Sequence, residues 1–287
     1  MRFGVVIPQI EMPDPTDVVA LSVAAEEAGF EYLLAYDHVI GADRAAHPGF
    51  WGPYDVGDPF HEPFVILGHL AARTSLELWT GVLILPQRQT VLVAKQAAEV
   101  DLLSGGRLRL GVGVGWNAVE YEALGQDFTN RGARYEEQVT LLRRLWTEES
   151  VNFEGRFHTV HGAGILPLPV QRPIPLWMGG LSGPKVLERI GTMADGWIAL
   201  TTPGQGLEEG WATVTAAAER AGRPPGAVGL QGTIQPGEDA SPERLRRQAG
   251  RWEAVGATHL SVSGMGGGRS PAEHVAFVKA AGQVLLG

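Results

Sequence analysis

The chain of 287 residues contains no cysteine, which excludes disulfides, thiolate metal sites, iron–sulfur clusters and a cysteine nucleophile. Lysine and arginine together number 23 against 32 aspartates and glutamates, so the formal net charge is −9. This surplus of negative charge disfavours nucleic acid or an anionic membrane surface as a partner, because affinity for phosphate depends on clustered cations. No apolar stretch approaches the roughly 20 residues that a membrane span requires.

The first ten residues, MRFGVVIPQI, reach a proline too soon for a secretory signal. We therefore expect a cytoplasmic protein that acts on a small-molecule substrate, without nucleic acid or membrane as a partner.

Glycine, in contrast, is abundant at 39 residues. The glycines follow apolar runs and form no low-complexity tract, which predicts tight turns after strands and close approach of a ligand to the backbone.

Short apolar runs alternate with helical patterns along the whole chain. Strands are predicted at 3–8, 32–37, 76–85, 108–114, 175–178, 197–200, 228–234 and 259–263. Helices are predicted from 15 to a stop at 29, over 62–73, 90–103 and 131–148, after 183, over 207–221, from 242, and over 271–286. Eight strand–helix units with near-continuous apolar strands predict an α/β fold, the closed (β/α)8 TIM barrel. An open doubly wound sheet is the alternative.

Residues 150–173 interrupt this alternation. The stretch VNFEGRFHTV predicts a β-hairpin with Glu154 and Gly155 at its tip, followed by irregular, proline-containing chain. We expect a single domain over 1–287 in which this hairpin is an insertion at about 150–173.

The active site of such a barrel lies at the carboxyl ends of its strands. Among the residues expected there, only Asp37 and His38 titrate near neutral or acidic pH, and no pair of carboxylates suits glycosidase chemistry. No HExxH, Walker or G-x-S-x-G motif is present, and no metal site is expected. Glycines, apolar walls and one histidine favour a large planar cofactor that brings its own reactivity. His38 either exchanges a proton or hydrogen bond with such a ring or is a packed histidine.

Two glycine-containing stretches follow strands. Met178-Gly179-Gly180 ends the fifth predicted strand and precedes a helix, so its backbone N–H groups are suited to bind a phosphate; a plain turn is the alternative. In GVGVGW (111–116), Trp116 stands where a dinucleotide-binding motif has its last glycine. Small residues there indicate either a crowded barrel interior or a flat ring lying against the backbone.

Six stretches of the sequence occur in the order of a known family. They are YLLAYDH (32–38), LWTGVLILPQR (78–88), LLSGGRLRLGVGVGWNAVEYEALG (102–125), RGARYEEQVTLLRRLWTEESVNFEGRFH (131–158), PLWMGG (175–180) and ADGW (194–197). Together they resemble the luciferase-like monooxygenase family of bacterial luciferase-like flavin and deazaflavin oxidoreductases. Within that family the chain is most similar to the branch that uses coenzyme F420, a 5-deazaflavin.

The resemblance implies an F420-dependent oxidoreductase that transfers a hydride between the deazaflavin and a small organic substrate. It implies that His38 is the catalytic residue that gives or takes a proton, and that the Gly81-Val82 peptide is a non-proline cis bond that backs the ring. It also allows a homodimer. The cofactor-binding residues that it implies are Asp37, His38, Thr80, Gly81, Val82, Gly115, Trp116, Met178, Gly179 and Gly180.

Trp116 marks a departure within the resemblance. Sugar-phosphate dehydrogenases of the family carry a glutamate at this position, so we expect an apolar or aromatic substrate instead. Trp51 and Trp116 are the predicted substrate-binding residues, with Phe50 and Tyr54 beside them and the 39–60 loop as a lid; packing within the loop is the alternative reading of these aromatic residues.

The cofactor has an alternative as well. FMN, as the cofactor of a monooxygenase, also has a phosphate for the Gly179-Gly180 segment and a flat ring system. The F420 tail carries additional glutamates, and Arg88 and Arg107 are candidate partners for it. A barrel that binds a cofactor or another subunit without catalysis is a further alternative, disfavoured because the residues that back the ring are present.

Overall fold

The computed structural model describes residues 1–181, 183–235, 237 and 240–287. Its strands are β1 (Arg2–Val6), β2 (Tyr32–Ala35), β3 (Glu77–Thr80), β4 (Leu83–Ile84), β5 (Leu108–Gly113), β6 (Val151–Glu154), β7 (Thr159–Ala163), β8 (Leu176–Gly180), β9 (Gly196–Ala199), β10 (Gly229–Ile234) and β11 (His259–Val262). Its α-helices are α1 (Pro15–Glu27), α2 (Pro63–Ala71), α3 (Thr90–Leu103), α4 (Ala118–Ala123), α5 (Arg131–Thr147), α6 (Pro184–Met193), α7 (Gln205–Arg220), α8 (Pro242–Ala254) and α9 (Pro271–Leu285).

Eight parallel strands close into a barrel in the order β1, β2, β3, β5, β8, β9, β10 and β11, and β11 pairs back with β1. The (β/α)8 prediction is confirmed, and the open sheet is wrong. The helix starts follow local signals in the sequence. Proline occupies the first turn of α1, α2, α6, α8 and α9, where its missing N–H costs no hydrogen bond.

The third predicted strand, 76–85, consists of two pieces in the structure. The peptide bond between Gly81 and Val82 is cis, as the family resemblance implies. Before this bond β3 pairs with β5 at Leu78, and after it β4 pairs with β5 at Leu83 and Ile84. The wall of the barrel therefore steps at residues 81–82, and this step lies at the end where the active site is expected.

Large aromatic side chains fill the interior of the barrel. Tyr32, Trp79 and Trp177 are buried together, and the rings of Tyr32 and Trp79 stack with centroids 4.7 Å apart. Below them, at the amino end of the strands, the Glu77 carboxylate accepts hydrogen bonds from Arg2 at 2.8 Å and Arg109 at 2.7 Å. The amino end is thus plugged, which leaves the carboxyl end for a cavity.

The predicted hairpin is confirmed as the antiparallel pair β6–β7. Helix α5 holds its tip, because the Glu137 carboxylate accepts hydrogen bonds from the backbone N–H groups of Arg156 and Phe157 and lies 2.7 Å from His158 Nδ1. His158 Nε2 lies 2.8 Å from the Thr90 hydroxyl at the start of α3. These contacts give His158 a structural role. That the chain forms one domain stays a prediction, and within the described residues no helix is long and apolar enough to cross a membrane.

Candidate active site

A cavity of about 480 Å³ opens at the carboxyl ends of the strands. This volume lies in the range of roughly 300–1,000 Å³ that small-molecule sites occupy. The residues that line it are Tyr36, Asp37, His38, Tyr54, Gly81, Val82, Ile84, Gly113, Val114, Gly115, Trp116, Asn117, Glu120, Tyr135, Met178, Gly179, Gly180, Leu181, Val186, Arg189, Ile190 and Leu200. Two larger depressions, beside α1 and α2 and beside the hairpin, contain none of these residues.

The side chain of Val82 forms part of the cavity wall at the step between β3 and β4. It lies between two glycines: a Cβ on Gly179 would be 2.6 Å from Val82 Cγ1, and a Cβ on Gly113 would be 2.5 Å from Val82 Cγ2. Gly115 has a φ of +66°, a conformation that favours glycine. Gly113, at the end of β5, and Gly179, in β8, are therefore required by the way Val82 packs, and together with Val82 they form an apolar surface of the cavity that we call the bed.

Asp37 ties the end of β2 to the second piece of the third strand. Its buried carboxylate accepts hydrogen bonds from the Ile84 N–H at 2.8 Å and from the Arg88 guanidinium at 2.8 Å. Burial raises the pKa of Asp37, and the charge of Arg88 opposes that shift. Arg88 also donates to Glu62 at 3.0 Å, so its guanidinium is already occupied by two carboxylates.

Both arginines proposed for the F420 tail are hydrogen-bonded within the protein. Arg88 is engaged by Asp37 and Glu62. Arg107 lies at the opposite, amino end of the barrel, where it donates to the carbonyl oxygens of Ser104, Leu76 and Ala71. For Arg107 the prediction is wrong, because sequence position alone does not show which end of the barrel a residue occupies; for Arg88 it stays a prediction.

His38 lies beside the cavity within a group of aromatic rings. Ring centroids of Phe60, Tyr54 and Trp116 lie 4.7, 5.2 and 5.4 Å from its imidazole, and 12% of its side-chain surface is exposed. Its Nδ1 is 3.8 Å from Glu120 Oε1. Burial lowers the pKa of His38, and the negative charge of Glu120 opposes the shift. The neutral imidazole is therefore the main form at neutral pH.

Glu120 is a cavity residue that the sequence analysis missed. Its carboxylate accepts hydrogen bonds from the N–H groups of Val39 at 2.5 Å and Ile40 at 3.3 Å, and from the Gln87 amide at 2.9 Å. It thereby holds the loop that follows His38. Glu120 belongs to the short helix α4, which was not predicted, although the spacing Asn117-x-x-Glu120 is a recognisable signal for a helix start.

Asn117 is the N-cap of α4. Its Oδ1 accepts hydrogen bonds from the N–H groups of Val119 and Glu120. Its Nδ2 is buried and has no hydrogen-bond partner. A buried donor of this kind beside a cavity is a candidate to bind a ligand, because leaving it unpaired costs roughly 1–3 kcal/mol.

Residues 1–281 match the family described as luciferase-like monooxygenase. The chain belongs to this family. An uncharacterized protein of Mycobacterium tuberculosis is 35% identical over 193 residues, which cover 65% of this chain and 66% of that relative. A Gordonia bronchialis protein named F420-dependent glucose-6-phosphate dehydrogenase is 30% identical over 256 residues, which cover 86% of this chain and 72% of that protein.

Solved structures show the same luciferase-like barrel. The monooxygenase RslO1 from Streptomyces bottropensis has a TM-score of 0.79 at 20% identity, covering 100% of this chain and 99% of its own. An F420-dependent secondary alcohol dehydrogenase in complex with an F420–acetone adduct has a TM-score of 0.77 at 18% identity, covering 98% and 97%. At these identities the likeness concerns the fold.

Most of the predicted site residues of this luciferase-like protein come together around one cavity. Asp37, His38, Gly81, Val82, Gly115, Trp116, Met178, Gly179 and Gly180 line it. Thr80 does not, because its buried hydroxyl donates to the Gly111 carbonyl at 2.6 Å within the barrel. Trp51 does not either: it is 75% exposed and contacts Trp116, with ring centroids 5.6 Å apart.

Other residues that line the cavity come from outside the predicted strand ends. Tyr135 lies on α5, and Val186, Arg189 and Ile190 lie on α6. Which face of a helix turns toward the mouth of a barrel depends on how the helix packs. The sequence pattern alone contained no signal that singled these residues out.

Proposed function

We propose that this luciferase-like enzyme transfers a hydride between coenzyme F420 and a small organic substrate that carries a hydroxyl group. The position of His38 carries the proposal, because its largely buried, neutral imidazole lines the same cavity as Val82 and the glycines. Relatives and structural neighbours whose names describe F420-dependent dehydrogenases support it.

The residues of the cavity fit such a cofactor. Gly113 and Gly179 leave the bed beside Val82 free of side chains, and Asn117 Nδ2 is a buried donor without a partner. Gly179 and Gly180 extend β8 beyond Met178, the last residue that pairs with β5. We assign them to the cofactor phosphate. When bound, the deazaflavin supplies the acceptor or donor of the hydride, and it is less prone than a flavin to react with oxygen.

His38 handles the proton that accompanies the hydride. Its Nδ1 faces Glu120, so Nε2 is the ring nitrogen available to a substrate hydroxyl. Because its pKa is lowered, the ring is mainly neutral at neutral pH and has a free nitrogen lone pair, so it can act as the proton acceptor that oxidation of an alcohol requires. Glu120 orients the imidazole and stabilises its protonated form.

An FMN-dependent monooxygenase is the second candidate. The description of the family and the likeness to the monooxygenase RslO1 favour it. The same glycine bed and the same Gly179-Gly180 segment would serve an FMN phosphate. A cytoplasmic location and a homodimeric state stay predictions from the sequence.

Titration with F420 and with FMN, followed by quenching of tryptophan fluorescence, separates the two candidates. We expect micromolar or tighter binding of F420. His38→Ala should retain F420 binding and slow turnover by about 10²-fold or more, because proton transfer by a placed side chain contributes about 10²–10⁴-fold. His161→Ala, on the exposed face of the hairpin, is the control and should behave as wild type. Binding of FMN without binding of F420 would overturn the proposal.

A further inference from the structure

The charges around the cavity limit which substrates can bind there. Among the described residues that line the cavity, only Arg189 carries a permanent positive charge. Its guanidinium donates twice to Glu136, at 2.9 and 2.6 Å, and lies 5.5 Å from the centroid of the Tyr135 ring. None of the four residues outside the described part of the chain is a lysine or an arginine.

The arginines behind the cavity wall are occupied as well. Arg88 is bound by Asp37 and Glu62. Arg44, in the loop that contains Tyr54, is bound by Asp55 at 2.5 Å and donates to the Gly52 carbonyl at 2.9 Å. A phosphate or carboxylate on the substrate would therefore meet guanidinium groups whose charge is already balanced by carboxylates of the protein.

The negative charge of Glu120, which faces His38, also disfavours an anionic substrate. Glu120 lines the cavity and is 2% exposed, and its contacts are N–H groups, the Gln87 amide and the His38 imidazole. An anionic group placed near His38 would therefore lie close to a buried carboxylate. Bringing a second negative charge into such a site without a cation is strongly unfavourable.

Aromatic rings also surround His38. Tyr54 and Trp116 line the cavity, and Phe60 packs against both Tyr54 and His38. Phe50 packs on Trp116, with ring centroids 5.8 Å apart. Rings of this kind favour apolar, planar or cyclic groups through surface burial and ring contacts.

Building on the F420-dependent function proposed above, we propose that the substrate is a neutral alcohol with an aromatic or alicyclic ring, and that phosphorylated or carboxylated alcohols are rejected. The carbinol C–H bond breaks and its hydride passes to the oxidised deazaflavin, while the O–H bond breaks and its proton passes to His38. An aldehyde or ketone, the reduced cofactor and a protonated imidazole result. The substrate class thus differs from the sugar phosphate in the name of the Gordonia relative.

A pair of substrates that differ in one charge tests this inference. We would measure reduction of F420 by the full-length enzyme with 1-phenylethanol, with mandelate, which adds a carboxylate to the same ring and carbinol, and with glucose 6-phosphate. We expect kcat/KM for 1-phenylethanol to exceed that for mandelate by about 100-fold or more, because an unpaired buried charge costs several kcal/mol. We expect no turnover of glucose 6-phosphate.

Variants connect this preference to the aromatic wall. Trp116→Ala should raise KM for 1-phenylethanol by about 10-fold or more, the cost of truncating a large buried ring contact. Val65→Ala, which removes an exposed apolar side chain on α2 away from the cavity, is the control and should change KM by less than about 3-fold.

The outcomes separate the two proposals. If F420 binds and mandelate or glucose 6-phosphate is turned over as well as 1-phenylethanol, the substrate class is wrong and the F420-dependent function stands. If F420 binds and no alcohol is oxidised, the substrate class is also wrong. If F420 does not bind at all, the proposed function itself fails, which the binding titration reveals without any substrate.

Discussion

Gly179 offers a direct test of how the bed of the cavity is built. Its Cβ would lie 2.6 Å from Val82 Cγ1, closer than side-chain atoms approach in folded proteins. Val82 is β-branched, so its methyl groups cannot swing away easily. Its other methyl group already faces Gly113. In Gly179→Ala the valine and the backbone of β8 must therefore move apart, which disturbs the surface that we assign to F420.

The expected cost follows from known overpacking energies. Inserting one methyl group into a well-packed position costs about 1–3 kcal/mol. If most of this cost falls on the bed of the cofactor, F420 affinity should fall between about 5-fold and 100-fold, since 1.4 kcal/mol corresponds to tenfold. Binding is measured by fluorescence titration, and thermal unfolding shows how much of the cost falls on the fold instead.

Two further variants make this test specific. Gly183→Ala adds the same methyl group four residues away, where it would meet Val186 at an ordinary 3.8 Å, so F420 affinity should not change. In a Val82→Ala background the obstruction is removed, so Gly179→Ala should cost much less there than in the wild type. An unchanged affinity in Gly179→Ala, or an equal loss in both backgrounds, would refute the packing argument.

Three other predictions concern polar groups. Glu120→Gln removes a negative charge that raises the pKa of His38, so the acid limb of the pH profile of kcat/KM should move to lower pH; an upward shift would contradict this. Asn117→Ser keeps a capping oxygen for α4 but removes the buried amide donor, so F420 or substrate binding should weaken by about 2- to 10-fold while the melting temperature stays near that of wild type. Arg109 and Arg2 lower the pKa of Glu77 to about 2 from 4.5, although burial opposes them. Because a lowered carboxyl pKa stabilises the fold above pH 4.5, Glu77→Gln should lower the free energy of unfolding by about 1–2 kcal/mol at pH 7, allowing for partial solvent screening, and this difference should shrink as the pH falls from 4.5 toward 2. Urea titrations at several pH values check it, and a pH-independent difference would argue against the ion pairs.

Much of the fold could be predicted from the sequence because its signals are local. Alternating strand and helix patterns specify eight units, and prolines at helix starts together with Gly29 after α1 mark their ends. The step between β3 and β4 was anticipated only through the family resemblance. Neither Gly81 nor Val82 is a residue type that by itself indicates a cis peptide.

The candidate site was predicted in outline but not in its polar contacts. His38 lies just beyond the end of β2 and Gly179-Gly180 form the end of β8, so the barrel topology places them at the mouth. Glu120 was missed because its role depends on a contact with backbone 80 residues earlier in the chain. The ion pairs of Arg88 could not be predicted for a similar reason, since its partners Asp37 and Glu62 become neighbours only in the folded chain.

The step in the third strand separates two levels of the barrel, one that pairs the strands and one that lines the cavity. Below it, the pairs Leu78–Leu108 and Trp79–Arg109 complete the ring of main-chain hydrogen bonds. Above it, β2 has no further partner beyond Ala35, and the chain from Asp37 onward turns into the mouth. The residues that would select a substrate therefore lie outside the ring of hydrogen-bonded strands that closes the barrel. Exchanging rim side chains such as Trp116 therefore removes no main-chain hydrogen bond between the strands of the barrel.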